Sequence, residues 1–256
     1  QIDNIKLIRR AELEAKGKYD PSSHDLEIAA LDWNKLTPEE RSLIPPILVV
    51  GDRQDINSAG WQGLNKLIST EYPVKVVLLD SIAAPSRDAV ENLIQSYSGI
   101  ITAITLKKAF VFQGSLANYD HLAKGLINGI SDTKPALINL FAFDNTQHNM
   151  ETMDWQPFAD LATISRVFPA IYCNPDKEHG FLNGTINLEG NKDHRQDWQD
   201  EELILPNGET LNYKITWADW AYTQKDWESE FKKVSQDDNN LAISDYLSLT
   251  VKARTK

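Results

Sequence analysis

Five short runs rich in β-branched and aliphatic residues recur between positions 47 and 173: ILVV (47–50), VKVVLLD (74–80), AFVFQG (109–114), ALINLFAF (136–143) and AIYC (170–173). The segments between them carry apolar residues at helical spacing. Leu64, Leu67 and Ile68 line one face of the first, Val90, Leu93 and Ile94 the second, and Leu122, Leu126 and Ile130 the third. Strands apolar on both sides, alternating with amphipathic helices, predict an α/β fold with a mostly parallel sheet covered by helices on both faces. In such a sheet functional groups belong at the carboxyl ends of the strands. Those ends hold Gly51-Asp52-Arg53, Asp80-Ser81, Gln113-Gly114-Ser115 and Asp144-Asn145.

The flanks read differently. Residues 1–45 form an N-terminal helical segment, with Ile5, Leu7, Ile8 and Leu13 set among charges. Thr37-Pro38-Glu39-Glu40 has the form of a capping box with proline at the first helical position, and Pro45-Pro46 ends the helix. The α/β core is expected over 46–175. Residues 176–256 are a C-terminal extension that wraps the core or meets a partner. Within it ETLNYKIT reads as a strand, and WADWAYTQKDWESEFKKV as an amphipathic helix with Trp217, Trp220 and Trp227 on a buried stripe.

Charge and composition exclude several classes. A formal charge of -11 repels nucleic-acid phosphates over most of the surface. No apolar run approaches the length of a membrane span. The single cysteine, Cys173, rules out an internal disulfide and an all-cysteine metal or iron–sulfur site from this chain alone, and a reducing cytoplasm is the expected location. A start at Gln1 rather than Met is expected of a processed chain or a piece of a longer one.

Asp52, delivered by the first strand, either holds Mg²⁺ that bridges a diphosphate or caps the next helix. Arg53 either clamps a phosphate or pairs with a neighbouring carboxylate. VVGDRQDINSAG matches neither a dinucleotide fingerprint nor a P-loop. Asp80 places a second carboxylate at a strand end, and Ser81 adds a hydroxyl. Ser86 reads as a helix cap or a ligand. His24, His121, His148, His179 and His194 show no paired ligand spacing and read as surface or turn residues.

The order of these motifs, from about Pro46 to Asn174, resembles the thiamin-diphosphate-binding domain of the pyruvate:ferredoxin (2-oxoacid:acceptor) oxidoreductase family. There a strand ends in Gly-Asp-Gly, a glycine-bearing helix follows, and the next strand ends in Asp-Thr-Glu-Val-Tyr-Ser-Asn. Here those places hold Gly51-Asp52-Arg53, GWQGLNKLI (60–68) and Asp80-Ser81-Ile82-Ala83-Ala84-Pro85-Ser86. FPAIYCNPD (168–176) is similar to the family's Trp-Pro-Leu-Tyr-Arg-Tyr-Asp-Pro stretch.

The resemblance implies a thiamin-diphosphate-binding fold, with Gly51, Asp52, Arg53, Asp80 and Ser81 at the cofactor and Asp52, the Ala83 carbonyl and Ser86 at Mg²⁺. The departures fall on those same positions. Arg53 replaces the second glycine, Ser86 stands where an asparagine is wanted, and the cluster-binding cysteine of the family is replaced by Asp144, so no iron–sulfur cluster is expected. Two acids near Arg53 lead to the expectation of a closed site that binds thiamin diphosphate weakly or not at all. The implied function is a domain of a larger 2-oxoacid oxidoreductase, inactive alone because the pyrimidine-binding domain lies elsewhere. Its partners would be other domains of the same polypeptide or a homodimer mate, with a 2-oxoacid as substrate. The alternatives are a non-catalytic structural or regulatory module on the same fold, and a generic doubly wound domain.

Overall fold

The computed structural model describes residues 1–53, 56, 58–81, 99–143, 155–176, 185–204, 206–224, 227, 230–232, 241, 243–249 and 253. Helices α1 (Ile2–Ala15), α2 (Pro21–Ala29) and α3 (Pro38–Ser42) precede the sheet. Both halves of the expected capping box form, with the Glu40 amide donating to Thr37 Oγ1 and the Thr37 amide donating to the Glu40 carboxylate. Ile5, Leu31, Trp33 and Leu36 give this segment a small core of its own. Arg41 ties it to the sheet domain through a 3.1 Å ion pair with Glu71.

The sheet begins with β1 (Ile47–Asp52), followed by α4 (Ser58–Ile68) and β2 (Val74–Asp80). Helix α5, whose described part is 99–106, leads to β3 (Phe110–Gly114), α6 (Tyr119–Ser131) and β4 (Ala136–Phe141). After α7 (Trp155–Ile164) come β5 (Ile171–Cys173) and β6 (Ile186–Asn187). The strand order is β1-β2-β4-β3-β5-β6. The first four strands in this order are mutually parallel, as their two-sided apolar pattern requires, while β5 runs antiparallel to β3 and β6 antiparallel to β5.

Two cores sandwich this sheet. On one face Leu64 and Ile68 of α4, with Ile100 and Ala103 of α5, pack on Val74, Val76, Leu78, Val111 and Leu137. On the other, Leu122 and Leu126 of α6 pack on Val77, Phe110, Phe112, Ile138 and Tyr172. Period-2 alternation along β2 divides its side chains between the two. Lys75 is the polar exception on the α6 side of that strand. Its side chain is fully buried, and its ammonium donates to the carbonyls of Asp132 and Lys134, at the end of α6, where the helix dipole is negative. Burial pushes the Lys75 pKa below its ordinary value.

The structure departs from the sequence reading in three places. Strand β6 carries the main sheet past residue 175, so part of the extension completes the core. The tryptophan-rich stretch is not one helix: α8 (Trp217–Tyr222) ends at Thr223, and Trp227 meets Trp217 edge-on at 5.1 Å from beyond it. Trp220 is buried as expected. Third, β1 lies at the sheet edge with its aliphatic side chains exposed, where cover on both faces was expected. The hairpin β7 (Gln199–Ile204) and β8 (Thr210–Ile215) forms a separate two-stranded sheet, and α9 (Ile243–Ser248) packs on β8. Among the described residues no helix is long and apolar enough to cross a membrane.

Candidate functional site

The parallel register brings the carboxyl ends of β1, β2, β4 and β3 side by side, and there a polar row crosses the sheet. Leu78, Asn139 and Gln113 stand at one level, because β2 pairs Leu78 with Asn139 and β3 pairs Gln113 with Asn139. Asp80 lies two residues beyond Leu78 on the same face, that of α4 and α5. All three polar side chains are buried: Asp80 is 2 % exposed, Asn139 3 % and Gln113 1 %.

Burial at this depth demands partners, and the row supplies them. Arg53, immediately after β1, brings Nε to 3.4 Å from Asp80 Oδ2. Asn139 Nδ2 donates to Asp80 Oδ2 at 3.3 Å and to Gln113 Oε1 at 3.0 Å. Gln113 Nε2 in turn donates to the Pro169 carbonyl at 2.9 Å. These bonds fix the orientation of the Asn139 amide, since both groups on its nitrogen side are acceptors. Its Oδ1 is left buried with no partner among the described residues. The Arg53 side chain is 12 % exposed and that of Asp80 2 %, so the pair is largely withdrawn from solvent.

Asp52 is placed differently. Its register partner is Leu79, not Asp80, so the pleat sends the Asp52 and Asp80 side chains to opposite faces of the sheet. Asp52 is exposed and Asp80 buried. Gly51 is at the level of Leu78, and a Cβ built there meets nothing within 4 Å. Ser81 is buried beside Asp80. Ala83, Ser86 and Asp144 lie outside the described residues. The structure thus brings Arg53, Asp80 and Ser81 together and separates Asp52 from them.

A Mg²⁺–diphosphate cradle needs convergent oxygen ligands facing one cavity. The described residues do not fit that requirement. The two strand-end aspartates diverge, and Asp80 is already engaged by a guanidinium. Among the described residues no group of three or more His, Cys, Asp or Glu side chains is placed to hold a metal ion.

Sequence reasoning missed Asn139 and the inward turn of Gln113. Each interrupts an otherwise aliphatic run, ALINLF and FVFQG, and an amide inside a buried strand is the signal that a polar row crosses there. It also missed His121. This residue is 9 % exposed, its ring lies 4.8 Å from that of Phe112, and Nε2 is 3.1 Å from the Gln113 carbonyl. A carbonyl only accepts, so Nε2 carries the proton. Burial lowers the His121 pKa, and nearby Lys124 pushes the same way. Cys173 is buried, with its thiol pushed up to about 11 by burial, which makes it an inert core residue.

The chain matches no protein-family model, and no curated protein matches it either.

Proposed function

We propose that this chain is a diverged thiamin-diphosphate-type domain of a larger 2-oxoacid oxidoreductase-like protein, and that its own ion pair fills the place where the diphosphate would sit. The order of strand, Gly51-Asp52, glycine-bearing helix and second strand ending in Asp80 supports the family reading. The observation that carries the closed site is the Arg53 Nε to Asp80 Oδ2 approach of 3.4 Å, with Asp80 buried and Arg53 partly buried. A guanidinium already neutralised by a carboxylate has little left to offer a phosphate, and a carboxylate engaged by a guanidinium offers less to a cation. The chain's own residues therefore hold the strand end shut, and the domain performs no decarboxylation alone.

Titration calorimetry with Mg²⁺ and thiamin diphosphate tests this reading. The wild-type chain is expected to show no binding at micromolar concentrations. Arg53→Gly regains some affinity only when Ser86→Asn is also made. Micromolar binding by the wild-type chain would end the proposal. A second reading, a non-catalytic interaction module on the same fold, is favoured by the exposed aliphatic side chains of β1.

A further inference from the structure

The sequence places asparagine directly before glycine three times, at Asn128-Gly129, Asn183-Gly184 and Asn207-Gly208. In this pair the asparagine side chain is unusually open to attack by its own backbone, because glycine sets no Cβ beside the attacking nitrogen and leaves its rotation free. Folding decides which copy can react. Asn183-Gly184 lies outside the described residues, and the other two are treated in opposite ways.

Asn128-Gly129 is locked. Both residues lie inside α6, whose ladder commits the Gly129 N–H. Gly129 is buried against the Phe110 ring, 3.0 Å from where its Cβ would stand, and Asn128 Nδ2 donates back to the Lys124 carbonyl at 2.7 Å.

Asn207-Gly208 lies in the hairpin turn, beyond the last ladder pair of Ile204 with Thr210, and both residues are exposed. Gly208 has a φ of +85°, and a Cβ built on it meets nothing within 4 Å. Among the described residues its N–H makes no hydrogen bond. Asn207 Oδ1 accepts from the Glu209 amide at 3.0 Å, forming an Asx-turn, and Nδ2 donates to the Glu209 carboxylate at 2.9 Å. The ring that the Asx bond closes contains both Asn207 Cγ and the Gly208 nitrogen. Donation to Oδ1 also draws electron density from Cγ, which makes that carbon more electrophilic.

We propose that Asn207 is a site of spontaneous deamidation, at which the hairpin ages to aspartyl and isoaspartyl forms. The Gly208 nitrogen gives its proton to solvent base and attacks Cγ. The Cγ–Nδ2 bond breaks, and Nδ2 leaves as ammonia with a proton from water, closing a five-membered succinimide. Water then opens the ring at either carbonyl. Opening at Cγ leaves aspartate. Opening at the backbone carbonyl leaves isoaspartate, in which the chain runs through Cγ and is longer by one methylene. In sum a water enters and an ammonia leaves, and nothing is oxidised or reduced. Either product sets a new carboxylate beside that of Glu209, on a chain whose net charge is already -11. The isoaspartyl form also lengthens the connection between Ile204 and Thr210, which loosens the end of the β7–β8 ladder. The inference rests on the hairpin alone and stands whether or not a cofactor binds.

The test incubates the full chain at mildly alkaline pH, folded and in urea, and follows each asparagine by peptide mass spectrometry. In urea Asn128 and Asn207 are expected to deamidate at similar rates. In the folded chain Asn128 should slow by about a hundredfold or more, because α6 must open before Gly129 can attack, while Asn207 stays within about tenfold of its unfolded rate. Fragmentation that separates aspartate from isoaspartate should find both at position 207. Ladder amides nearest the turn should exchange at least about threefold faster in the isoaspartyl form, and equal rates would overturn the loosening of the hairpin. Protection of Asn207 in the folded chain equal to that of Asn128 overturns the proposal, and so does a folded chain modified at Asn183 alone. Asn207→Gln, whose longer side chain must close a slower six-membered ring, should abolish the modified hairpin peptide. Persistence of that peptide in the variant would place the modification elsewhere and also overturn the proposal. If the variant fails to fold, the wild-type rates at 128 and 207 decide.

Discussion

Within the first turn of α6, His121 is held as a neutral ring by its surroundings: its Nε2–H is given to the Gln113 carbonyl and its other side is walled by Gly190, where a Cβ would lie 2.6 Å from Nδ1. Protonating that buried ring costs desolvation, which is why its pKa falls below the ordinary 6.5. The sign of the pH dependence follows. In the unfolded chain His121 takes up a proton near its ordinary value, and in the folded chain only at lower pH. The stability gained from a neutral ring is complete above about pH 6.5 and is lost as the pH falls below it. Urea unfolding between about pH 7.5 and about pH 5 should show a steeper loss of stability for the wild type than for His121→Gln. Equal slopes would contradict this. Arg53 and Asp80 were legible as strand-end residues because strand ends are punctuated by charge. The face each one takes was not, because a one-residue difference in register decides it: Asp52 aligns with Leu79, and Asp80 falls one step further on.

Helix α6 owes its close seat on the sheet to a missing side chain. A Cβ at Gly125 would stand 2.1 Å from ring carbons of Phe112, itself fully buried. Gly125→Ala must push the helix off β3 or turn the ring, and it should destabilise the domain by about 3 kcal/mol despite the better helix propensity of alanine. Gly51→Ala, at the strand end with open space around it, is expected to change stability by less than about 0.5 kcal/mol. Denaturant midpoints compare the two directly. The strands were legible because each is a short aliphatic run bounded by turn residues, and all five expected runs became strands. The direction of β5 was not, since three residues carry no sign of orientation. The tryptophan spacing 217, 220, 227 misled for a related reason. Helical periodicity is satisfied equally by a short helix that stops before the third tryptophan, and α8 does that, ending at Thr223.

Across the whole molecule, the parallel sheet and its two cores set where chemistry can occur, and the polar row from Arg53 to Pro169 fills that place with internal bonds. Among the described residues β1 stands at the far edge of that sheet. How much of this depends on Arg53 and Asp80 binding each other is measured most directly by a double-mutant cycle. Arg53→Ala, Asp80→Ala and the double variant would be unfolded in urea, with and without Mg²⁺ and thiamin diphosphate. A buried pair predicts a coupling on the order of 2 kcal/mol or more, unchanged by the added cofactor. A coupling below about 0.5 kcal/mol, as a solvated pair gives, or one that the cofactor abolishes, would contradict the closed site.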